Sequence, residues 1–110
     1  MEMKEAADAF SALAQGTRLE ALRLLVAKGP AGIQAGELAA QLAIAPPTLS
    51  FHLKELSNAG LVLSRKEGRS VIYVADYAGI RAIVDFLMAD CCQGDPRLCG
   101  PYIIKEQAAC

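Results

Sequence analysis

The sequence predicts one mainly α-helical domain in which a β-hairpin separates the final helix from the helices before it. Apolar residues recur at helical spacing through most of the chain, but the period changes to two over residues 61–75, where β-branched residues are frequent. The chain has 110 residues, of which 54% are hydrophobic and 21% charged. This composition favours a single domain with a real core and excludes extensive disorder.

The first two helices are predicted from two apolar stripes and the break between them. Residues 6–15 carry the first stripe, and Gly16 interrupts it. Thr17 and Glu20 have the spacing of a capping box, which places the start of the second helix at Thr17. Pro30 ends that helix because it lacks a backbone donor and disfavours helix before it. The apolar positions of the second helix are Leu19, Leu22, Leu25 and Val26.

A third and a fourth helix, joined by a short connector, are predicted in the centre of the chain. The third covers about residues 35–42, and Pro46-Pro47 opens the fourth, since the fixed φ of proline suits a first helical turn. The fourth helix runs to about Ala59, and Gly60 can end it in the left-handed conformation. Two helices joined by a short turn and followed by a hairpin describe a winged helix-turn-helix.

The hairpin and the final helix complete the predicted order. Residues 61–66 and 70–75 are the expected strands, on either side of the turn 67–69. Asp76 is placed to cap the helix that follows. The apolar residues of this helix form one continuous stripe, which consists of Ile80, Ile83, Val84, Leu87, Met88 and Cys91.

The outward face of the fourth helix carries the first candidate binding residues. On a helical wheel, Leu49, Leu53 and Leu56 cluster and mark the buried side. The remaining surface carries short polar groups, an aromatic ring and a cation, which suit base edges and phosphates in a major groove. The alternative is a plain solvated surface, although an outward phenylalanine needs something to cover it. The candidate DNA contacts on this helix are Thr48, Ser50, Phe51, His52 and Lys54.

His52 is the single histidine of the chain and stands at the border of the buried face. One interpretation is a partly buried, hydrogen-bonded side chain that anchors the helix, and the other is a phosphate contact. As a metal ligand it is a weak candidate, because the cysteines lie far away in the sequence and on another element.

The hairpin supplies three further candidates, Arg65, Lys66 and Arg69, around Gly68. They suit contacts to phosphates or to a minor groove, although a solvated turn is the alternative. The formal net charge of −1 argues against a nucleic-acid partner only if the charge is evenly spread. Residues 45–75 carry four cations and two anions, whereas both flanking segments are net negative. Residues 45–75 therefore form a basic segment, suited to DNA binding, within a chain that is slightly acidic overall.

The four cysteines all lie in the last fifth of the chain, at Cys91, Cys92, Cys99 and Cys110. The acidic, mixed start and the lack of any apolar run near about 18 residues predict neither a secretion signal nor a membrane helix, and hence a cytoplasmic location. In a reducing compartment such cysteines favour metal or redox roles over disulfides. Three thiolates suit trivalent arsenic or antimony, whereas zinc needs a fourth ligand, for which Cys110 or His52 is available in principle.

Three other interpretations of the cysteines stay open. Cys91 continues the apolar stripe of the final helix and can be a small buried hydrophobe. Cys91 or Cys92 can form a redox pair with Cys99. The spacing Cys91-x5-Arg97 also matches the anion loop of a thiol-dependent arsenate reductase. Here, however, that segment follows a helix and contains an added negative charge and a proline, which oppose anion binding.

Residues 50–62, with the sequence SFHLKELSNAGLV, resemble the recognition-helix signature of the ArsR/SmtB family of metal-responsive repressors. Residues 13–19 resemble the family's start of the second helix, and residues 65–73 its wing. The resemblance spans about residues 5–90. It implies a homodimer that joins through its first and last helices, binds double-stranded operator DNA and holds no permanent cofactor. The apolar stripe of the final helix agrees, since one small domain does not need to bury so much on a terminal helix.

The position of the cysteines resembles one subset of this family. Many arsenic-sensing members carry a Cys-x-Cys pair in the third helix, but residues 34–42 contain no cysteine. The cluster resembles instead the sensors with three cysteines after the last helix, which implies Cys91, Cys92 and Cys99 as ligands of an As(III) or Sb(III) inducer. Cys110 matches no motif. The expectation is one winged helix-turn-helix domain over residues 1–110, with a cysteine-containing tail from about 91, that acts as an arsenic-responsive repressor and not as an enzyme.

Overall fold

The computed structural model describes residues 1–89, and the predicted inducer ligands Cys91, Cys92 and Cys99 therefore lie outside the described residues. Within this range the order of elements confirms the predicted fold class of helices, hairpin and final helix. The elements are α1 (Met3–Leu13), α2 (Gly16–Lys28), β1 (Ile33–Gln34), α3 (Ala35–Leu42), α4 (Pro46–Asn58), β2 (Val62–Glu67), β3 (Ser70–Ala75) and α5 (Tyr77–Met88).

The core lies between the helix-turn-helix and the sheet. Leu49, Leu53 and Leu56 of α4 are 0–2% exposed and pack with Leu25 of α2 and Leu38 of α3. Full burial of one leucine side chain stabilises a fold by about 1.5–3 kcal/mol. The inner face of α4, as the helical wheel predicts, therefore fixes this helix against α2 and α3.

The start of α2 differs from the sequence prediction. The helix begins at Gly16, and its N-cap is Gln15, whose side-chain oxygen accepts a 2.8 Å hydrogen bond from the backbone nitrogen of Arg18. The predicted capping box of Thr17 and Glu20 is therefore wrong. Gln15 already satisfies a free donor of the first turn, and Thr17 lies within that turn, where its backbone is helical.

The first helix begins at Met3, ahead of the apolar stripe over residues 6–15 that predicts it. A capping box supplied by Glu2 and Glu5 stabilises this earlier start. The buried positions of α1 are Ala6, Ala9 and Ala12, whereas the larger Phe10 is 40% exposed. Small residues on the inner face let α1 approach the core closely.

The strand β1 has only two residues and is not predicted by the sequence. It pairs antiparallel with β3, with Ile33 opposite Tyr73, and the sheet order is β1-β3-β2. Two residues are too few to show alternation, so the pattern that predicts the hairpin cannot reveal this strand. Its pairing joins the hairpin β2–β3, hereafter the wing, to the segment before α3.

The C-terminal end of α4 and the start of α5 lie close together. Gly60 has φ +77°, so α4 ends in the left-handed conformation as predicted. Asp76 caps α5 as predicted, since its carboxylate accepts a 3.1 Å hydrogen bond from the backbone nitrogen of Gly79. A Cβ atom on Gly79 would overlap the carbonyl oxygen of Gly60. The absence of a side chain at Gly79 therefore permits the approach of α5 to the end of α4.

The helices α1 and α5 pack against each other, and both leave large apolar side chains exposed. In α1, Met3 is 72% and Phe10 40% exposed, and in α5, Val84 is 43% and Leu87 58% exposed. Such a concentration of apolar side chains is typical of a surface that binds another protein. Within residues 1–89, no helix has the length and apolar content needed to cross a membrane.

Candidate nucleic-acid interface

The outward surface of α4 presents the side chains that the sequence predicts for DNA. Thr48, Ser50 and Lys54 are exposed, and Phe51 is 55% exposed although it is aromatic. They face away from the buried leucines of the same helix. A helix with one buried face and one polar, protruding face fits the width of a major groove. The geometry therefore suits base readout, and contact with DNA itself stays a prediction.

His52 lies partly buried at the edge of this surface and is held by Arg18 of α2. The Nε of Arg18 donates a 3.2 Å hydrogen bond to the Nδ1 of His52. Because a guanidinium has no acceptor, Nδ1 is the acceptor here and the ring proton sits on Nε2. The interpretation of His52 as a hydrogen-bonded anchor is confirmed. Its Nε2–H is a donor suited to a phosphate oxygen or a base acceptor, so the predicted DNA contact remains compatible with the anchor.

Arg18 also touches α1 and the aromatic side chain of α4. One of its terminal nitrogens donates to the carbonyl oxygen of Ala12 at 3.4 Å, and the guanidinium carbon lies 5.8 Å from the Phe51 ring centre. The rings of Phe51 and His52 meet edge to face, with centres 5.7 Å apart. A cation over a ring at an exposed site contributes about 0.5–1 kcal/mol. Arg18 thus links three helices at the edge of the candidate interface.

Sequence reasoning misses this role of Arg18. In the sequence, Arg18 stands out only as a member of residues 13–19, the segment that resembles the family's second-helix start. Its partner His52 is 34 residues away in the sequence. Neither periodicity nor spacing can reveal a contact between side chains so far apart, and the only usable signal was a histidine at the border of the buried face.

The wing carries its cations on the exposed side of the molecule. Lys66 and Arg69 are exposed, and the side chain of neither forms an ion pair or hydrogen bond with residues 1–89. Lys54 of α4 is likewise exposed and without an ion pair in this range. Cations that are not neutralised within the protein remain available for phosphates. The positive charge predicted for the central segment is therefore presented by both α4 and the wing.

Arg65 is different from its two neighbours on the wing, because each of the three nitrogens of its guanidinium donates a hydrogen bond within the protein although the side chain is 43% exposed. Its Nε donates to a carboxylate oxygen of Glu67 at 2.6 Å, and its terminal nitrogens donate to the carbonyl oxygens of Pro30 and Ala31 at 3.2 and 2.9 Å. The structure thus places Arg65 at the wing, as predicted, but in contact with the turn after α2. Its predicted contact with DNA stays a prediction.

Among residues 1–89 no group of three or more histidine, cysteine, aspartate or glutamate side chains is arranged to hold a metal ion. The predicted ligands Cys91, Cys92 and Cys99 are not part of this range. The inducer site for As(III) or Sb(III) therefore stays a prediction from the sequence.

Comparisons with known proteins agree with the helix-turn-helix geometry. A family model described as a helix-turn-helix domain matches residues 13–65, which include α2, α3, α4 and the start of the wing. The HTH-type transcriptional regulator Rv2034 of Mycobacterium tuberculosis is 41% identical over 75 residues, which cover 68% of this chain and 67% of that protein. This relative is a transcriptional regulator, so the expectation that the chain is not an enzyme is confirmed.

Two solved structures share the whole arrangement. An ArsR-like transcriptional regulator from Rhodococcus sp. RHA1 superposes with a TM-score of 0.71 and 35% identity over 86% of this chain and 87% of that one. The homodimeric winged helix-turn-helix DNA-binding domain Mb0332 of Mycobacterium bovis, described as a possible ArsR-family regulator, superposes with a TM-score of 0.66 and 28% identity over 88% of this chain and 84% of that one. The chain belongs to the ArsR family of winged helix-turn-helix transcriptional regulators.

Proposed function

We propose that this chain is a homodimeric repressor that binds a two-fold symmetric operator and leaves it when As(III) or Sb(III) binds Cys91, Cys92 and Cys99. The observation that carries the DNA-binding part is the outward surface of α4, which is supported by buried leucines and accompanied by two wing cations, Lys66 and Arg69, whose side chains have no partner among residues 1–89. In this arrangement α4 reads base edges, and the wing binds the phosphate backbone beside it.

The exposed apolar side chains of α1 and α5 support a second copy of the chain as the partner. Val84 and Leu87 of α5 lie beside α1, which exposes Met3 and Phe10. Pairing of these faces by a two-fold axis removes the exposed apolar surface from water. It also presents two α4 helices to a palindrome whose half-sites are about one DNA turn, roughly 34 Å, apart. The homodimeric relative from Mycobacterium bovis supports this assembly.

The dimer is tested with matched leucine variants. We expect Leu87→Glu to be monomeric in sedimentation equilibrium, because a carboxylate cannot be buried unpaired in the interface. The control is Leu63→Glu, at a wing position of similar exposure, 52% against 58% for Leu87. The monomeric variant loses the advantage of two linked half-sites, a loss of roughly 100-fold in operator affinity. A Leu87→Glu variant that stays dimeric would exclude α5 from the interface.

The inducer part of the proposal is supported by the chemistry of the cysteines. Three thiolates provide a pyramidal site for a thiophilic trivalent ion, and the adjacent Cys91 and Cys92 lie shortly after the end of α5. An inducer releases DNA only if it binds the weakly binding state of the dimer more tightly than the operator-bound state. The position of the cysteines after α5 makes the proposed dimer helix the element that such binding would bias.

The decisive experiment is a gel-shift titration with a duplex that the full-length chain selects from a random-sequence library. Arsenite, zinc and peroxide are added separately to the wild type, to a Cys91/Cys92/Cys99→Ser variant and to Cys110→Ser. We expect arsenite to release DNA from the wild type and from Cys110→Ser, but not from the triple variant. The same preparations are tested for thiol-dependent reduction of arsenate, which should be absent.

Each other outcome identifies a different function. Release of DNA by peroxide but not by arsenite would assign a thiol-redox switch of the same fold, and release by zinc alone would assign a different metal response. Release of DNA from the triple variant by arsenite would exclude the three cysteines as the inducer ligands. Failure to select any duplex would contradict the DNA-binding proposal itself.

A further inference from the structure

We infer that Arg65 is a positioning residue, which holds the wing against the turn between α2 and β1 and thereby sets where the wing tip meets DNA. The inference rests on the proposed DNA-binding function and makes it more specific. It separates the three wing cations into one that orients the hairpin, Arg65, and two, Lys66 and Arg69, whose side chains have no partner in the described range 1–89 and so suit phosphates.

The contacts of Arg65 use all three nitrogens of its guanidinium group. Nε is paired with the carboxylate of Glu67 on the same strand, and the two terminal nitrogens reach the carbonyl oxygens of Pro30 and Ala31. These carbonyls are 34 and 35 residues away in the sequence. These bonds, at 2.6–3.2 Å, occupy three of the five N–H donors of the guanidinium, so a phosphate can use at most the two that remain without breaking a contact within the protein.

The partner of Arg65 is a well-defined turn. The backbone nitrogen of Gly32 donates to the carbonyl oxygen of Gly29 at 3.1 Å, which closes a β-turn with Pro30 and Ala31 at its centre. Proline fixes φ in this turn, and Gly29 and Gly32 both have positive φ, so the turn has little freedom to rearrange. The two central carbonyls therefore form a fixed acceptor pair for the planar guanidinium fork.

The same turn is pressed against the outer face of the wing. A Cβ atom on Gly32 would lie 2.6 Å from the Ile72 side chain and 2.7 Å from that of Val74. Ile72 is directly opposite Arg65 in the strand register, so both project from this outer face. Lys66 is opposite Val71 and projects from the other face. The turn thus touches β3 through Gly32 and β2 through Arg65.

Burial holds the two strands of the wing unequally. The strand β3 is partly buried from Ser70 to Val74 and pairs with β1 at Ile72 and Tyr73. In β2, which lies at the edge of the sheet, Val62 is buried but each residue from Leu63 to Glu67 is exposed. Arg65 lies on this exposed part of β2, close to the tip, and its attachment to the turn opposes movement of the edge strand.

The chemistry distinguishes a positioning arginine from a phosphate contact. A lysine at position 65 keeps the positive charge, but its single ammonium group cannot reproduce a planar fork that bonds two carbonyls and a carboxylate together. At a simple phosphate contact, by contrast, a lysine replaces much of an arginine's electrostatic attraction. We therefore expect opposite results from the two lysine variants: Arg65→Lys should weaken DNA binding, whereas Arg69→Lys should retain most of the affinity.

The experiment measures affinity for the duplex selected by the wild-type chain, using Arg65→Lys, Arg65→Gln, Arg69→Lys, Arg69→Gln and the double variant Arg65→Lys/Arg69→Gln. Lys66→Gln is the matched control for the relaxation measurement described below, since it removes a neighbouring charge whose side chain has no partner within residues 1–89. We expect Arg65→Lys and Arg65→Gln to weaken binding by a similar factor, about tenfold, the scale of one lost hydrogen-bonded contact. Arg69→Lys should retain most of the affinity, and Arg69→Gln should lose less in the Arg65→Lys background than alone.

A second readout needs no DNA. We expect backbone order parameters at residues 67–70, measured by nitrogen relaxation on the free protein, to fall in Arg65→Lys and to stay unchanged in Lys66→Gln. Unchanged order parameters, wild-type affinity of Arg65→Lys, or independent effects at positions 65 and 69 would each overturn the positioning role. If the wild type selects no duplex, the proposed function fails, while the relaxation data still decide whether Arg65 holds the wing.

Discussion

The two elements proposed to meet DNA are held in place by different physical forces. The helix α4 buries three leucines, and its outer surface is free because its inner surface is fixed. The wing buries Val62 and Ala75 at its base, and its outer part combines the partly buried side chains of β3 with strand pairing and the polar contacts of Arg65 on the exposed strand β2. The stabilisation from burying apolar side chains depends little on their orientation, whereas a hydrogen bond weakens steeply when its donor and acceptor are misaligned. We therefore expect α4 to be sensitive to lost volume and the wing to be sensitive to lost donors.

The largest predicted effect comes from a pair of leucine truncations, one in each region. Leu53 is 1% exposed at the centre of α4, and Leu63 is 52% exposed on the wing. We expect Leu53→Ala to lower the free energy of unfolding by about 2–5 kcal/mol, because it removes buried methyl groups and leaves a cavity. Leu63→Ala should change it by less than about 0.5 kcal/mol.

Urea denaturation followed by circular dichroism measures both variants under the same conditions. The unmodified chain and the conservative Leu53→Met variant, which keeps most of the volume, serve as controls. Equal losses at positions 53 and 63 would mean that the wing surface is buried in solution, and the contrast between the two regions would then not hold.

A smaller effect is expected where the end of α4 meets the start of α5. Gly79→Ala inserts a methyl group into the space taken by the carbonyl oxygen of Gly60, which is backbone and cannot rotate away. We expect a destabilisation of about 1–3 kcal/mol, the usual range for overpacking. Gly16→Ala is the control, since a Cβ there meets nothing within 4 Å. A Gly79→Ala variant as stable as the control would show that α5 shifts at negligible energetic cost.

Much of this architecture could be predicted from the sequence because it is encoded by local patterns. The spacing of Leu49, Leu53 and Leu56 predicts the buried face of α4, and Pro46 and Gly60 predict its ends. These signals depend on residues within a few turns of one another. The exposure of the outward residues of α4 follows from the same periodicity, since burial of one face of a helix against the core turns the opposite face to the surface.

The contacts missed by the sequence join residues that are distant along the chain. Arg18 and His52, and Arg65 and Ala31, are each 34 residues apart. A solvated cation and an anchored cation have the same pattern in a sequence, so Arg65 could not be distinguished from Arg69. The start of α2 was misplaced for a related reason. A glutamine, which ranks low among N-cap residues, caps it in place of the expected threonine.

The free cation of the wing tip gives the next prediction. Arg69 is exposed and forms no ion pair with residues 1–89, so we expect it to bind a phosphate. Arg69→Gln should reduce the slope of log affinity against log salt concentration by about 0.9, which corresponds to one phosphate contact. The measurement is a gel-shift or anisotropy titration at four salt concentrations. An unchanged slope would remove Arg69 from the DNA contacts. The control is Arg23→Gln at an exposed position of α2, which should leave the slope unchanged.

The smallest effect concerns His52, whose two ring nitrogens are predicted to have separate tasks. His52→Asn places an oxygen near the position of Nδ1 and keeps the acceptor for Arg18, but it lacks a donor at Nε2. His52→Gln places an amide near Nε2 and leaves the Arg18 donor without its partner. We expect the asparagine variant to fold with nearly wild-type stability and to bind DNA about threefold to tenfold more weakly, the scale of one hydrogen bond. The glutamine variant should show the reverse pattern, with a loss of about 1 kcal/mol in stability and a smaller loss in affinity.

Thermal denaturation and duplex titration on both variants separate the two tasks of the His52 ring. Wild-type affinity of the asparagine variant would mean that His52 acts only as an anchor, so that α4 would depend for its position on a directional contact as the wing does.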